Sequence, residues 1–71
     1  MKRSVRIAGH PTSISLEPEF WAEITRIAGE RGLSINALVT EIDARRTANL
    51  SSALRVFVLN DLRAGRGVTT A

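Results

Sequence analysis

The side chains able to do chemistry in this chain are few. His10 is the single histidine, and cysteine and tyrosine do not occur among the 71 residues. A Ser-His-Asp set would have to be built on His10, which has no partners at ligand spacing and sits in Gly9-His10-Pro11, the composition of a turn. Glu19 and Glu23 share one helical face, but acidic residues at a helix start ordinarily complement the positive end of its dipole. No glycine-rich phosphate loop and no metal-ligand cluster is present in the sequence. These features point away from an enzyme and imply no metal or cofactor. What remains is cationic and hydroxyl chemistry. Lys2, Arg3 and Arg6 have no acid near them, Ser13 and Ser15 alternate with apolar residues, and Ser34 precedes an apolar helical run.

The net charge is +3 and the isoelectric point about 11.1. Its distribution says more than its size: residues 1–16 carry +3, residues 17–44 carry −4 and residues 45–71 carry +4. A basic arm and a basic end around an acidic middle is one form of electrostatic footprint for nucleic acid. Random clumping on a solvated surface gives the same totals, so charge alone does not choose between the two.

The length allows one domain, and a chain this short buries only about 60% of the surface it exposes when unfolded. Without cysteine there are no disulfides or thiolate metal sites to reinforce it, which leaves oligomerisation. The basic start is not followed by a signal-peptide core, and the longest apolar run, Val56 to Leu59, is too short to span a bilayer. A soluble, cytoplasmic protein is expected.

The elements that position the candidate groups follow from periodicity. Ser4 to Ile7 alternates with Val5 and Ile7 apolar, Gly9-His10-Pro11 interrupts, and Thr12 to Leu16 alternates again with Ile14 and Leu16 apolar. The apolar positions change from odd to even, so the two segments are not one regular strand with one buried face. The first reads as a flexible arm or a short separate strand, unless the break is a bulge; the second is the better strand. Glu17-Pro18-Glu19 starts a helix. Phe20, Trp21, Ile24, Ile27 and Ala28 give it one apolar face, and Gly32 ends it as a left-handed cap. Leu33 packs across the turn, Ser34 caps a second helix, and Ile35, Leu38, Val39 and Ile42 form that helix's apolar face. Asp43 to Asn49 is polar and ends it. A third helix, capped by Ser51, runs to about Ala64 with Leu50, Leu54, Phe57, Val58 and Leu62 on one face; Val56 and Leu59 widen that face. Residues 65–71 read as a loose tail.

A lone strand leaves a row of backbone donors and acceptors unpaired. The economical remedy is a second copy, with Thr12–Leu16 pairing antiparallel to its twin. Ile14 and Leu16 then join Trp21, Ile24, Leu38 and Ile42 in a shared dimer core, while Ser13 and Ser15 face solvent. Such a two-stranded ribbon is narrow enough to enter the major groove of B-DNA.

The stretch Thr12-Ser-Ile-Ser-Leu-Glu-Pro-Glu-Phe-Trp21, with Glu30-Arg-Gly-Leu-Ser-Ile-Asn-Ala-Leu-Val39, resembles the ribbon-helix-helix fold of Arc/MetJ-type repressors. The Gly32-Leu33-Ser34 turn is especially like the one between that fold's helices. Asn49-Leu-Ser-Ser-Ala-Leu-Arg55 resembles a bacterial subgroup of predicted DNA-binding proteins with a further C-terminal helix. The resemblance implies base reading by outward ribbon side chains, matched by Ser13 and Ser15. It also implies phosphate binding at the start of the second helix, matched by Ser34, Ile35 and Asn36. Pro11 departs from the pattern, standing where such ribbons often carry a basic, base-contacting side chain. Two serines discriminate bases poorly, and Lys2, Arg3 and Arg6 of the arm are the candidates to compensate by contacting the DNA backbone or an adjacent groove. Arg31, before the turn, either touches phosphate or pairs with a nearby glutamate.

The expectation is therefore a mostly α protein with one short β-strand, an intertwined ribbon-helix-helix homodimer with an added third helix. Residues 1–11 form a basic arm or short extra strand, 12–64 the domain, and 65–71 a tail. The implied function is a sequence-specific transcriptional regulator, a repressor that binds double-stranded DNA, with higher oligomers on DNA left open. The alternative is a protein-interaction module, an antitoxin or assembly adaptor, docking a partner through the third helix.

Overall fold

The computed structural model describes residues 1–66, with side chains through Ala64. The chain runs β1 (Lys2–Ile7), β2 (His10–Ser15), α1 (Pro18–Arg31), α2 (Ile35–Arg45) and α3 (Leu50–Asp61), with a wide π-type turn at Leu62–Arg66 continuing α3. The expected loose tail lies, from residue 67 onward, outside the described residues.

The expected ribbon is present in a mostly helical fold, but both of its strands come from one chain. β1 pairs antiparallel with β2 in the register Lys2–Ser15, Arg3–Ile14, Ser4–Ser13, Val5–Thr12, Arg6–Pro11 and Ile7–His10. The two-residue connection Ala8-Gly9 explains this. Both residues have positive φ, 52° and 82°, as the tightest hairpin turns require, and their twist matches that of the strands. Across a two-residue turn an odd-numbered residue always faces an even-numbered one. The odd-to-even change of apolar phase, read from sequence as a break, is thus what places Val5 and Ile14 on the same face. With β1 satisfying one edge of β2, the lone-strand reason for a second copy falls away.

The helices begin and end where local chemistry dictates. Pro18 occupies the first turn of α1, and the carbonyl of Glu17 accepts from the amides of Phe20 and Trp21. At the other end Gly32 is left-handed at φ 70°, with its amide on the Gly29 carbonyl and that of Leu33 on the Ala28 carbonyl. This paired closure satisfies two carbonyls that the helix would otherwise leave open. Ser34 caps α2, its Oγ accepting from the Ala37 amide at 3.0 Å. α3 begins earlier than expected. Asn49, not Ser51, is its cap, with Oδ1 accepting from the Ser52 amide at 2.9 Å. Ser51 instead donates its hydroxyl to the Ser15 carbonyl at 3.3 Å, tying the start of α3 to β2.

One core lies beneath the hairpin. Val5, Ile14 and Leu16 from the strand layer meet Trp21, Ile24, Ile27 and Ala28 of α1, Leu38, Val39 and Ile42 of α2, and Leu54 and Val58 of α3. The six residues expected in a dimer core, Ile14, Leu16, Trp21, Ile24, Leu38 and Ile42, are all buried within the single chain. Leu62, expected on the packed face of α3, is instead 42% exposed, because the helix widens at that residue. Val56 and Leu59 are 54% and 49% exposed. Among the described residues no helix is long and apolar enough to cross a membrane.

Candidate nucleic-acid interface

The hairpin separates its side chains by face. Ladder pairs share a face, so Arg3, Val5 and Ile7 lie on the same side as Ile14, Thr12 and His10, the side that covers the helices. Lys2, Ser4 and Arg6 share the other with Ser15, Ser13 and Pro11, and all six are exposed. Ser13 and Ser15, expected to face outward, do so. Ser4, which sequence reasoning passed over, joins them directly opposite Ser13. The phase change across Ala8-Gly9 was the signal that could have found it. The result is an outward surface of three hydroxyls and two cations.

The arm cations do not all point one way. Arg3 belongs to the inner face, where its guanidinium carbon lies 5.6 Å from the centroid of the Trp21 ring, within cation–π range. Arg6 and Lys2 are outward. Arg6 is held twice: its amide donates to Asn36 Oδ1 at 3.2 Å, and its Nη1 donates to the Gly9 carbonyl at 3.1 Å. The first bond links β1 to the start of α2, so the outward face and that helix terminus adjoin. There Ser34 satisfies the amide of Ala37, while the amides of Ile35 and Asn36 stand at the open first turn, where the helix dipole is positive. Arg31 lies elsewhere. It pairs with Glu41 at 3.4 Å and stacks on Phe57 at 5.2 Å, beside α2 and α3 rather than at the α2 N-terminus.

Ion pairing sharpens the contrast. Arg26 donates to Glu23, Glu30 and Asp61, joining α1 to α3, and these three carboxylates raise its pKa above the ordinary arginine value. Arg45 pairs with Glu41, Arg46 with Asp43, and Arg55 with Glu17. The hydrogen bond from Arg55 holds the Glu17 carboxyl below its usual range. Among the described residues, Lys2 and Arg6 have no carboxylate within 4.0 Å. The helical cations are thus largely neutralised locally, and those of the ribbon are not.

Two grooves mark the surface, and only the first touches the hairpin. One, of about 460 Å³, runs along the open edge of β2 between Thr12, Ser13 and Ile14 and the α2–α3 connection at Asn49 and Ser51. The other, of about 450 Å³, lies between α2 and α3, with Ile42, Val56 and Phe57 among its apolar residues and Arg31, Arg45 and Arg46 among its cations. Among the described residues no group of three or more His, Asp or Glu side chains is placed to hold a metal ion.

Comparison with known proteins agrees with this architecture. No curated protein and no solved structure matches the chain. A family model described as the ribbon-helix-helix domain matches residues 1–62, from the first strand through the third helix. With a ribbon, two helices joined by a glycine-serine turn, and a further helix, the chain belongs to the ribbon-helix-helix family.

Proposed function

We propose that this protein is a sequence-specific regulator of transcription, a repressor that sets the outward face of its β-ribbon into the major groove of double-stranded DNA. Members of the family are commonly DNA-binding regulators or antitoxins. The observation that carries the reading is the register that gathers Lys2, Ser4, Arg6, Ser13 and Ser15 on one exposed face with neither cation neutralised. A two-stranded ribbon fits the major groove, where hydroxyls and cations meet base edges. The amides of Ile35 and Asn36, adjoining that face through the Arg6–Asn36 bond, supply phosphate binding that fixes orientation. Lys2, exposed at the open end of the same face, is the further candidate for a phosphate contact. Arg3 and Arg31, each stacked on an aromatic ring, are the weaker candidates for backbone contact.

The regulator acts as a homodimer in this reading. The Leu16 amide donates to the Met1 carbonyl, which sets the phase of the ladder and turns the backbone groups of residues 11, 13 and 15 away from β1. On that open edge Pro11 has no donor, the Ser15 carbonyl already takes Ser51, and both polar groups of Ser13 are available. Two edges meeting antiparallel about Ser13 would exchange the Ser13 bonds and set each Ser15 amide against a Pro11 carbonyl. A two-fold assembly of this kind reads an inverted repeat.

The test is selection of bound duplexes from a random double-stranded library at about physiological salt, comparing the protein with a Ser13→Ala/Ser15→Ala variant. An enriched short repeat that the variant fails to enrich supports the reading. Weak, salt-sensitive binding without enrichment would replace it with non-specific binding.

A second reading rests on the exposed Val56 and Leu59 of α3. Apolar side chains side by side on an outer helix face suit a protein partner, as in an antitoxin or adaptor. It is compatible with DNA binding. Co-purification from the native cell separates the two, since recovery of the protein alone counts against docking.

A further inference from the structure

We infer that Arg6 is the principal specificity-determining residue of this ribbon and that it recognises guanine. The inference rests on the DNA-binding reading above and goes beyond it by assigning a base to a side chain. Sequence alone placed Arg6 on an arm reaching phosphates or an adjacent groove, and the hairpin register puts it on the outward face of the ribbon. Arg6 lies directly opposite Pro11 on the outward face, one step along from the Ser4–Ser13 pair. In this ladder Arg6–Pro11 is a non-hydrogen-bonded pair, in which the two Cα atoms approach to about 4.5 Å and the side chains are closest. Proline offers no polar group to compete for the guanidinium, so the arginine is the only hydrogen-bonding side chain at that level of the face.

Three further observations bear on what Arg6 can bind. It has no carboxylate within 4.0 Å, unlike Arg26, Arg31, Arg45, Arg46 and Arg55. Its position is fixed at both ends, by its amide on Asn36 and by Nη1 on the Gly9 carbonyl, so little conformational freedom remains to be lost on binding. Finally, the outward face otherwise offers Lys2 and three serine hydroxyls, and none of these presents a planar fork of donors. One Nη1 hydrogen is engaged by Gly9; the other, with Nη2, leaves a pair of parallel donors. The O6 and N7 acceptors on the major-groove edge of guanine match such a pair, and no other base presents two adjacent acceptors there. A phosphate also accepts the arginine fork, and only the guanine contact depends on N7 of the base.

The experiment follows from that difference. Affinity is measured by fluorescence anisotropy for the duplex selected above, for an unrelated duplex, and for versions of the selected site in which single guanines are replaced by 7-deazaguanine. That base lacks N7 but leaves every phosphate in place. Wild type is compared with Arg6→Lys and Arg6→Ala, each checked by circular dichroism; both keep the backbone amide that bonds Asn36. The expected result is that one 7-deazaguanine position weakens wild type about tenfold and leaves Arg6→Ala unaffected, with Arg6→Lys between the two. Arg6→Lys should also bind the unrelated duplex as wild type does, with the same salt dependence. Equal weakening of Arg6→Ala on both duplexes, with the salt slope reduced by about one, would make Arg6 a phosphate contact and overturn the inference. A selected site insensitive to every 7-deazaguanine would overturn it while leaving the DNA reading intact. Failure of wild type to bind any duplex would overturn both.

Discussion

The indole N–H of Trp21 donates to the carbonyl oxygen of Met1 at 3.1 Å, and the amide of Leu16 donates to the same oxygen at 3.0 Å. A residue of α1 thus anchors the first residue of the chain, and with it the open end of the hairpin. Replacing Trp21 by Phe keeps an aromatic in the core but removes one of these donors and some volume. The expected cost is about 2 kcal/mol, as a neutral hydrogen bond contributes about 1 kcal/mol and the lost atoms leave a partial cavity. Urea unfolding followed by circular dichroism measures the cost, and hydrogen exchange should show faster exchange of the β1 amides. Unchanged β1 protection would mean that Trp21 does not anchor the strand.

β1 contributes Val5 to the core, where it is 5% exposed. Val5→Ala is therefore expected to destabilise the fold by about 1–3 kcal/mol. A disposable arm would tolerate the same change within about 0.5 kcal/mol. The urea midpoint separates the two, and truncation of residues 1–7 should exaggerate the effect.

Ala8 holds φ at 52° in the first position of the turn, a conformation costing an L-residue with a Cβ about 1–2 kcal/mol. Asparagine tolerates that region better and is favoured before glycine in this turn type. Ala8→Asn should raise stability by about 0.5–1 kcal/mol, whereas Gly9→Ala should lower it. A fall in the thermal midpoint of Ala8→Asn would show that the turn is not of this type.

Glu17 and Arg55 join the start of α1 to α3 at 3.0 Å, and the hydrogen bond from Arg55 depresses the Glu17 pKa. A carboxyl with a lower pKa in the folded than in the unfolded state stabilises fully above its unfolded value. It loses that contribution as pH falls through the depressed one. Wild type should therefore lose part of its stability below about pH 4.3, the ordinary glutamate value. Glu17→Gln removes the titration. Its stability deficit, measured by urea midpoints between neutral and acid pH, should shrink as pH falls. A constant deficit would assign the effect of the substitution to packing instead.

The elements with strong local signals were legible without coordinates. Proline and acids at 17–19, the left-handed glycine at 32 and the serine cap at 34 are set by neighbours within one turn of helix, so their residue types carry the information. The 3.6-residue spacing of Trp21, Ile24, Ile27 and Ala28, and of Leu38, Val39 and Ile42, identified the buried faces for the same reason. Ser13 and Ser15 were legible as outward residues because strand alternation is also local.

What pairs with a strand is not local. Any extended segment, from the same chain or another, can satisfy β2, and only the geometry of Ala8-Gly9 brings β1 to it. That one turn moved Lys2, Ser4 and Arg6 onto the outward face and Arg3 off it. The capping choice between Asn49 and Ser51 was likewise settled by tertiary packing, since Ser51 is drawn to the Ser15 carbonyl across 36 residues of sequence. Sequence by itself determined the helices, the caps of α1 and α2 and the outward serines, because each depends on contacts within a few residues. The tertiary structure decided the partner of the ribbon and the placement of its cations, because those depend on a register that no short window of sequence contains.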